Sequence, residues 1–172
     1  RGYQKDGFRW LATLDAWGFG GILADDMGLG KTLQVIAFFQ MKKENGLIVC
    51  PASLVYNWES ELKRFAPELK PHIIAGAAKD RKVQIENMPE EKGGEIFITS
   101  YDLLKKDISF YKDKKIYCVI ADEAQYLKNA GTQTAKAVKQ LRAQRRFALT
   151  GTPIENQLSD LWSIFDFIMP GY

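Results

Sequence analysis

Short apolar runs recur along the chain, and each is bounded by small or turn-forming residues. Within a run the apolar residues are continuous and do not alternate with polar ones, a pattern typical of strands covered on both faces of a sheet. The pattern predicts strands at residues 21–24, 47–50, 72–75, 95–99, 116–121 and 146–149.

Between these runs lie segments whose apolar residues recur at helical spacing, so that strand and helix alternate along the chain. This alternation predicts an α/β fold, a three-layer α/β/α sandwich with a mostly parallel central sheet. In such folds ligands bind beyond the carboxyl ends of the strands, because connecting loops and helix N-termini meet there. The apolar positions that define the helical segments are Phe8, Leu11 and Leu14; Leu33, Ile36 and Ala37; Leu54, Trp58, Leu62 and Phe65; and Leu158, Leu161, Phe165 and Ile168.

A polar cluster follows five of the six predicted strands, and a parallel sheet would bring all five to one edge. Such a coincidence is harder to obtain by chance than any single motif. The clusters are Ala24-Asp-Asp-Met-Gly-Leu-Gly-Lys-Thr32, Pro51-Ala-Ser-Leu54, Ser100-Tyr-Asp102, Asp122-Glu-Ala-Gln125 and Thr150-Gly-Thr-Pro153.

The segment from Gly28 to Thr32 follows a strand and opens a helix, which is the context of a phosphate-binding loop. Glycines let the backbone approach phosphates closely, and backbone amides together with the helix dipole supply positive potential. Lys31 would reach the β- and γ-phosphates, and the Thr32 hydroxyl would bind Mg²⁺. The loop departs from the strict motif because Asp25 occupies the position of the first glycine. The simpler alternative is a structural turn.

Asp122 and Glu123 end the apolar run 116–121, so both carboxylates emerge at the same edge as the phosphate loop. Asp122 is suited to hold Mg²⁺ through water, and Glu123 to orient and deprotonate an attacking water. An exposed acidic turn or a helix N-cap is the alternative for the pair taken alone. The upstream Gly-Lys-Thr favours the catalytic interpretation.

Thr150, Gly151 and Thr152 form a third polar turn at this edge, before Pro153. A helix N-terminus capped by Thr152, with Pro153 at the first helical position, explains these residue types. Capping does not explain why the turn lies beside the predicted nucleotide site, so both interpretations stand together.

Composition narrows the class of protein. The 172 residues, 46% of them apolar, suffice for one domain with a buried core. Cys50 and Cys118 lie in apolar runs, which predicts buried reduced thiols in a reducing compartment. No run approaches the roughly 20 apolar residues that span a bilayer, and no signal peptide is recognisable. A net charge of +3 makes no case for nucleic acid by itself.

These motifs together resemble the first RecA-like lobe of superfamily-two helicase-like ATPases, and specifically the Swi/Snf family of double-stranded DNA translocases. The resemblance covers nearly the whole chain, and the aspartate at the start of the phosphate loop is usual in this family. It rests on Tyr3-Gln4 with Trp10-Leu11, Asp25-Asp-Met-Gly-Leu-Gly-Lys-Thr-Leu-Gln34, Ile48 to Trp58, Ile98-Thr-Ser-Tyr101, Asp122-Glu-Ala-Gln125 with Lys128-Asn129, and Leu149 to Asn156, which appear in the family's order.

The resemblance implies a role for each matching residue. Gln4 would read adenine, and Mg²⁺ and ATP would be held by Asp25, Asp26, Met27, Gly28, Leu29, Gly30, Lys31, Thr32, Asp122 and Glu123. The DNA backbone would run along Ser53, Leu54, Asn57, Thr99, Ser100 and Lys128. For Ser53 and Thr99 the alternative is helix capping, for Lys128 a solvated surface, and for Asn57 and Trp58 a structural place on their helix.

The acidic motif ends in Gln125 where the family commonly has histidine, which leaves His72 as the one histidine of the chain. Gln125 can hydrogen-bond between the nucleotide site and the turn at Thr150, Gly151 and Thr152, which would couple them, but it cannot change charge near neutral pH. We expect His72, which follows Pro71 at a strand start, to be structural or solvent-facing.

The family's motor has two lobes that close on ATP, so residues 1–172 would be one ATP-binding lobe and would need the second to hydrolyse ATP. The resemblance implies double-stranded DNA as partner, contacted through its backbone without sequence preference, and we expect a monomer. The protein would work in the cytoplasm, at the nucleoid, if its source is prokaryotic, and in the nucleus if its source is eukaryotic. The alternatives are an RNA helicase lobe and a catalytically silent nucleic-acid-binding module.

Overall fold

The central element is a six-stranded sheet, seen in a computed structural model that describes residues 2–24, 30–151 and 158–171, without the side chains of Tyr3 and Gln4. All neighbouring strands pair in parallel, in the order β1-β6-β5-β2-β4-β3. The mostly parallel sheet predicted from the apolar runs is confirmed. The strands are β1 (Gly21–Ala24), β2 (Gly46–Cys50), β3 (Lys70–Ile73), β4 (Glu95–Ser100), β5 (Lys115–Ala121) and β6 (Arg142–Thr150).

Helices cover both faces of the sheet, because the central strands β2 and β5 carry buried apolar residues on both sides. Alternate residues of one strand enter different cores: Ile48 packs with the first three helices, whereas Leu47 packs with the last four. The predicted three-layer α/β/α sandwich is therefore present. The described helices are α1 (Gly2–Ala16), α2 (Lys31–Lys42), α3 (Val55–Phe65), α4 (Ala78–Glu86), α5 (Tyr101–Asp107), α6 (Gln133–Gln140) and α7 (Leu158–Ile168).

Two strands begin more than one residue earlier than predicted. β6 begins at Arg142, four residues before the predicted start, and pairs with β5 from that residue onward. β3 begins two residues earlier than predicted, at Lys70, and includes Pro71. Proline is tolerated there because β3 is an edge strand, where one row of backbone amides has no partner strand. His72 of this strand pairs with Glu95 and stacks on Phe97 with its side chain 45% exposed, in line with the structural or solvent-facing role expected of it.

Cys50 and Cys118 are fully buried free thiols, as predicted. Burial, with a smaller contribution from the charge of Asp122, raises the pKa of Cys50 to about 12. Both thiols face the core under α1, α2 and α3, where they serve as small apolar side chains. Over the described residues, no helix combines the length and apolar character needed to cross a membrane.

Candidate functional site

The carboxyl ends of the parallel strands meet at one edge of the sheet. Ala24 at the end of β1 lies beside Thr150 of β6, and Ala121 at the end of β5 lies beside both Ala148 of β6 and Val49 of β2. The sheet order therefore places the ends of β1, β6 and β5 next to one another, and the ends of β2 and β4 beyond them. These strand ends are the points at which the five polar clusters begin in the sequence.

Helix α2 starts at this edge, directly after Gly30. Gly30 has a left-handed backbone with φ of 78°, which glycine adopts without a steric penalty. Lys31 and Thr32 form the first turn of α2 and are half-buried. The N-terminus of α2 therefore presents the positive end of a helix dipole, and beside it the lysine, to the strand ends.

Asp122 directly follows the end of β5, and its carboxylate is buried, with the residue only 8% exposed. Its Oδ2 accepts a hydrogen bond from Nε1 of Trp58 at 2.9 Å, and its Oδ1 accepts one from the backbone N–H of Glu123 at 2.8 Å. Burial raises the pKa of Asp122, and these two hydrogen bonds, together with the charge of Lys31, oppose that rise. The positive charge of Lys31 thus favours the ionised form of the Asp122 carboxylate across the sheet edge.

Glu123 follows with a left-handed backbone, φ 50°, which is uncommon for residues other than glycine. Such conformations persist where the surrounding structure enforces them, and they concentrate at functional sites. The Glu123 carboxylate accepts a hydrogen bond from the Gln125 amide, whose oxygen accepts one from the Thr150 hydroxyl at 3.3 Å. Gln125 therefore bridges the acidic pair and the turn after β6, as the sequence suggested it could.

The residues predicted along the DNA backbone divide into two groups. Ser53 and Asn57 are exposed, and Leu54 and Lys128 are half-buried, so these four are accessible at the surface. Ser53 lies inside a short 3₁₀ helix (Ala52–Leu54) for which no side-chain cap is formed, so capping does not account for it.

Thr99 and Ser100 form the second group, in which both residues are buried. Thr99 is fully buried, because it lies in β4 with helices on both sides of the sheet, so its side chain cannot contact a phosphate in this conformation. Its hydroxyl has no hydrogen-bond partner in the described part of the chain. Ser100, 4% exposed, caps α5 by accepting a hydrogen bond from the Leu103 amide at 3.2 Å. Capping was considered for Thr99, and it falls to Ser100 instead.

Several predicted site residues lie outside the described part of the chain. They are Asp25, Asp26, Met27, Gly28 and Leu29 of the phosphate loop, the side chain of Gln4, and Thr152. Gly151, at the end of the described segment that β6 leads into, follows Thr150 at the sheet edge.

Two aromatic residues at the site were missed from the sequence. Trp58 lies on the apolar face of its helix and is buried, as one of its two interpretations expects, but it also donates to Asp122. Tyr101 donates its hydroxyl to the backbone oxygen of Asp122 at 2.6 Å. The available signal was chemical: a buried indole N–H or phenol usually has a hydrogen-bond partner. A strand-end carboxylate was the nearest candidate acceptor.

Thr32 and Asp122 are the described residues suited to hold Mg²⁺. No cluster of three or more His, Cys, Asp or Glu side chains that could hold a metal ion occurs among the residues described. One carboxylate and one hydroxyl nevertheless suit Mg²⁺, which keeps several waters and binds through one or two protein oxygens plus substrate phosphates. Because burial raises the pKa of Asp122, a nearby cation would also stabilise its charged form.

The sequence of residues 3–172 matches the family model of the SNF2-related domain. This chain belongs to the SNF2-related family. The resemblance to Swi/Snf ATPases inferred from the motifs is confirmed by this match.

Relatives of this SNF2-related chain occur in bacteria and eukaryotes. It is 44% identical to an uncharacterized ATP-dependent helicase of Mycoplasma genitalium, over 100% of this chain and 17% of the relative. It is 42% identical to the TATA-binding protein-associated factor MOT1 of Saccharomyces cerevisiae, over 100% of this chain and 10% of the relative. The chain thus spans less than a fifth of the length of these relatives.

A solved structure, the Sulfolobus solfataricus SWI2/SNF2 ATPase core in complex with double-stranded DNA, has the same fold. The TM-score is 0.86 at 43% identity, over 99% of this chain and 36% of that one. The RecA-like architecture expected from the motifs is therefore the one observed.

Proposed function

We propose that the chain is the ATP-binding lobe of an ATP-dependent double-stranded DNA translocase of the chromatin- or nucleoprotein-remodelling type. The observation that carries the proposal is the arrangement at the sheet edge. The start of α2, with Lys31 and Thr32, lies on the same edge as the buried carboxylate of Asp122 and that of Glu123, whose backbone is left-handed.

Each residue of this arrangement has a distinct task. Lys31 and the loop that ends at Gly30 bind the phosphates, and Gln4 contacts adenine. Thr32 and Asp122 hold Mg²⁺, which neutralises charge on the phosphates when bound. Glu123 orients the attacking water and accepts its proton. Gln125 connects Glu123 with Thr150, and through it the turn of Gly151 and Thr152, so that a shift in one segment reaches the other.

The proposed DNA track runs beside this site. Ser53, Leu54, Asn57 and Lys128 are accessible, and the similar archaeal core was solved with double-stranded DNA. Contacts from hydroxyls, amides and a lysine to phosphates position a duplex without reading its bases. We therefore propose binding that is insensitive to DNA sequence, either at the bacterial or archaeal nucleoid or in a nucleus, according to the source.

ATP hydrolysis would require a second RecA-like lobe of the same protein. In phosphoryl-transfer enzymes that use one, an arginine finger contributes about 10³- to 10⁵-fold in turnover. The 172-residue chain alone should therefore bind ATP weakly and hydrolyse it slowly. The two-lobe protein should show strong hydrolysis stimulated by duplex DNA.

The test measures the steady-state ATPase of the chain alone and of the two-lobe protein, with duplex DNA, with RNA and with neither. Stimulation by duplex DNA only in the two-lobe protein supports the proposal. Preferential stimulation by RNA would indicate an RNA helicase, and no hydrolysis with either would indicate a silent binding module. Full turnover by the chain alone would refute a site divided between lobes.

A further inference from the structure

Trp58 stands apart from the other tryptophans of the chain. It is 1% exposed, whereas Trp10, Trp17 and Trp162 are between 50% and 70% exposed. Its ring packs in the core between the sheet and α1, α2 and α3, which would explain it as a structural residue. Packing does not explain where its N–H points, which is at Oδ2 of Asp122, 2.9 Å away.

The Asp122 carboxylate is held at both oxygens. The Trp58 indole occupies one side of Oδ2, and the Glu123 amide occupies one side of Oδ1. The backbone is fixed as well, because the Asp122 amide donates to Val49 at 2.8 Å and its carbonyl accepts from Tyr101 at 2.6 Å. Of these four contacts, the one from Trp58 joins a side chain to the carboxylate, and the others involve backbone groups of Asp122 or Glu123.

Each carboxylate oxygen can accept more than one hydrogen bond or metal contact, so these bonds orient Asp122 and still leave lone pairs free to bind a metal ion. Groups that hydrogen-bond a metal-binding carboxylate orient it, and their loss typically costs about 10- to 100-fold in metal affinity or activity. The Trp58 indole is in the position of such a group.

We propose that Trp58 is a positioning residue, whose indole N–H fixes the Asp122 carboxylate in the orientation that binds Mg²⁺. This proposal rests on the proposed function, in which Asp122 holds Mg²⁺. It also connects two parts of the edge: Trp58 projects from the buried side of α3, and its neighbour Asn57 lies on the exposed side, among the residues proposed to follow DNA.

The test is Trp58→Phe in the full-length protein, which keeps an aromatic ring in the core and removes the N–H. The Mg²⁺ concentration that gives half-maximal binding of a fluorescent, non-hydrolysable ATP analogue should rise by about 10- to 100-fold, and the Mg²⁺ concentration for half-maximal DNA-stimulated ATPase should rise with it. Excess Mg²⁺ should restore much of the kcat, whereas the KM for ATP at saturating Mg²⁺ should change little. A residue that only fills the core would not shift the Mg²⁺ requirement.

Leu62→Ala is the matched control, because Leu62 is a fully buried residue of the same helix, α3. It should lower thermal stability without changing the Mg²⁺ requirement. An equal shift in Leu62→Ala, or none in Trp58→Phe, would overturn the positioning role. If Trp58→Phe is too unstable to assay, Trp58→His is the second variant, because it has a smaller ring but keeps an N–H. If soluble, folded Trp58→His is inactive at every Mg²⁺ concentration, the positioning role is also overturned.

Failure of the positioning role is distinguishable from failure of the proposed function. Asp122→Asn, assayed beside Trp58→Phe, should abolish the Mg²⁺-dependent ATPase if Asp122 holds the metal. If Asp122→Asn is inactive and Trp58→Phe behaves as wild type, only the role of Trp58 is refuted. If Asp122→Asn retains the Mg²⁺ dependence of the wild type, the metal-binding function itself fails, and the proposal for Trp58 fails with it.

Discussion

The acidic pair at the end of β5 shows how neighbours decide what a residue can do. Burial raises the pKa of Asp122, whereas the Trp58 and Glu123 hydrogen bonds and the charge of Lys31 oppose that rise. The hydrogen bonds and the charge of Lys31 thus partly compensate this carboxylate for the hydration that it loses on burial. Glu123, one residue on, is half-buried and bonded to Gln125, so the two carboxylates are suited to different tasks.

Tyr101 supplies a contact whose contribution to stability can be measured. Its hydroxyl is buried and donates to the Asp122 carbonyl at 2.6 Å, and burial together with the charge of Asp122 raises its pKa, so it stays protonated. Tyr101→Phe should lower the free energy of unfolding by about 1–3 kcal/mol, because a buried acceptor loses its donor. Urea denaturation of the chain measures this.

Tyr126→Phe is the control for that measurement. Tyr126 stacks on Tyr101 at 5.2 Å between ring centroids but is 53% exposed. Loss of its hydroxyl should change the unfolding free energy by less than about 0.5 kcal/mol, as is usual for surface substitutions. Equal effects of the two variants would show that the buried hydrogen bond is not what stabilises this turn.

At the scale of elements, two buried charges join α4 to α5. Arg81 donates from Nε and Nη2 to both oxygens of Asp107, at 2.7 and 2.8 Å, and from Nη1 to the Gly76 carbonyl at 2.6 Å. Arg81 is 7% exposed and Asp107 is 1% exposed. The hydrogen bonds to Asp107 raise the pKa of the Arg81 guanidinium against the opposing effect of burial. The pair therefore fixes one helix against the other.

Asp107→Ala should destabilise the fold by about 3–5 kcal/mol, because it leaves the Arg81 charge buried without its partner. Glu86→Ala is a suitable control, since it removes an exposed pair with Lys82, 3.8 Å apart, on the same helix. That change should cost about 0.3–0.5 kcal/mol, as for other helix pairs at this spacing. Chemical denaturation of both variants compares them. Similar losses would contradict a structural role for the buried pair.

Some helices can be predicted from the sequence and others cannot, and the difference has a physical cause. Helix α3 buries Val55, Trp58 and Leu62 at helical spacing, so its apolar pattern is visible. Helix α4 buries only Arg81 and Ile85, and an ion pair replaces the apolar contacts that pattern reading detects. Helices α5 and α6 escape prediction because they have seven and eight residues, too few for a periodic signal to repeat.

The candidate site, like the helices, could be predicted from the sequence only in part. Strand ends and charged residues locate the edge and the acidic pair, because connecting segments of a parallel sheet must meet there. Which side of a strand Thr99 faces, and which donor reaches Asp122, depend on packing between distant segments. Trp58 and Asp122 are 64 positions apart, a separation at which no local pattern signals contact.

At the scale of the whole molecule, the sheet order organises the proposed function. The ends of β1, β6 and β5 are neighbours and border the residues proposed for ATP, whereas the segment after β2 carries most of those proposed for DNA. The boundary falls between β5 and β2, where Trp58 reaches Asp122. The residues proposed for ATP and those proposed for DNA therefore share one edge of the sheet.

The most direct test of a single ATP site with divided roles compares Lys31→Ala and Glu123→Gln in the full-length protein, with nucleotide binding and DNA-stimulated ATP turnover measured on each. Lys31→Ala should lose binding, because the phosphates lose their cation. Glu123→Gln should bind ATP as wild type does and lose about 10²- to 10⁴-fold in turnover, the contribution of a positioned general base. Normal turnover by Glu123→Gln, or normal ATP binding by Lys31→Ala, would contradict the account.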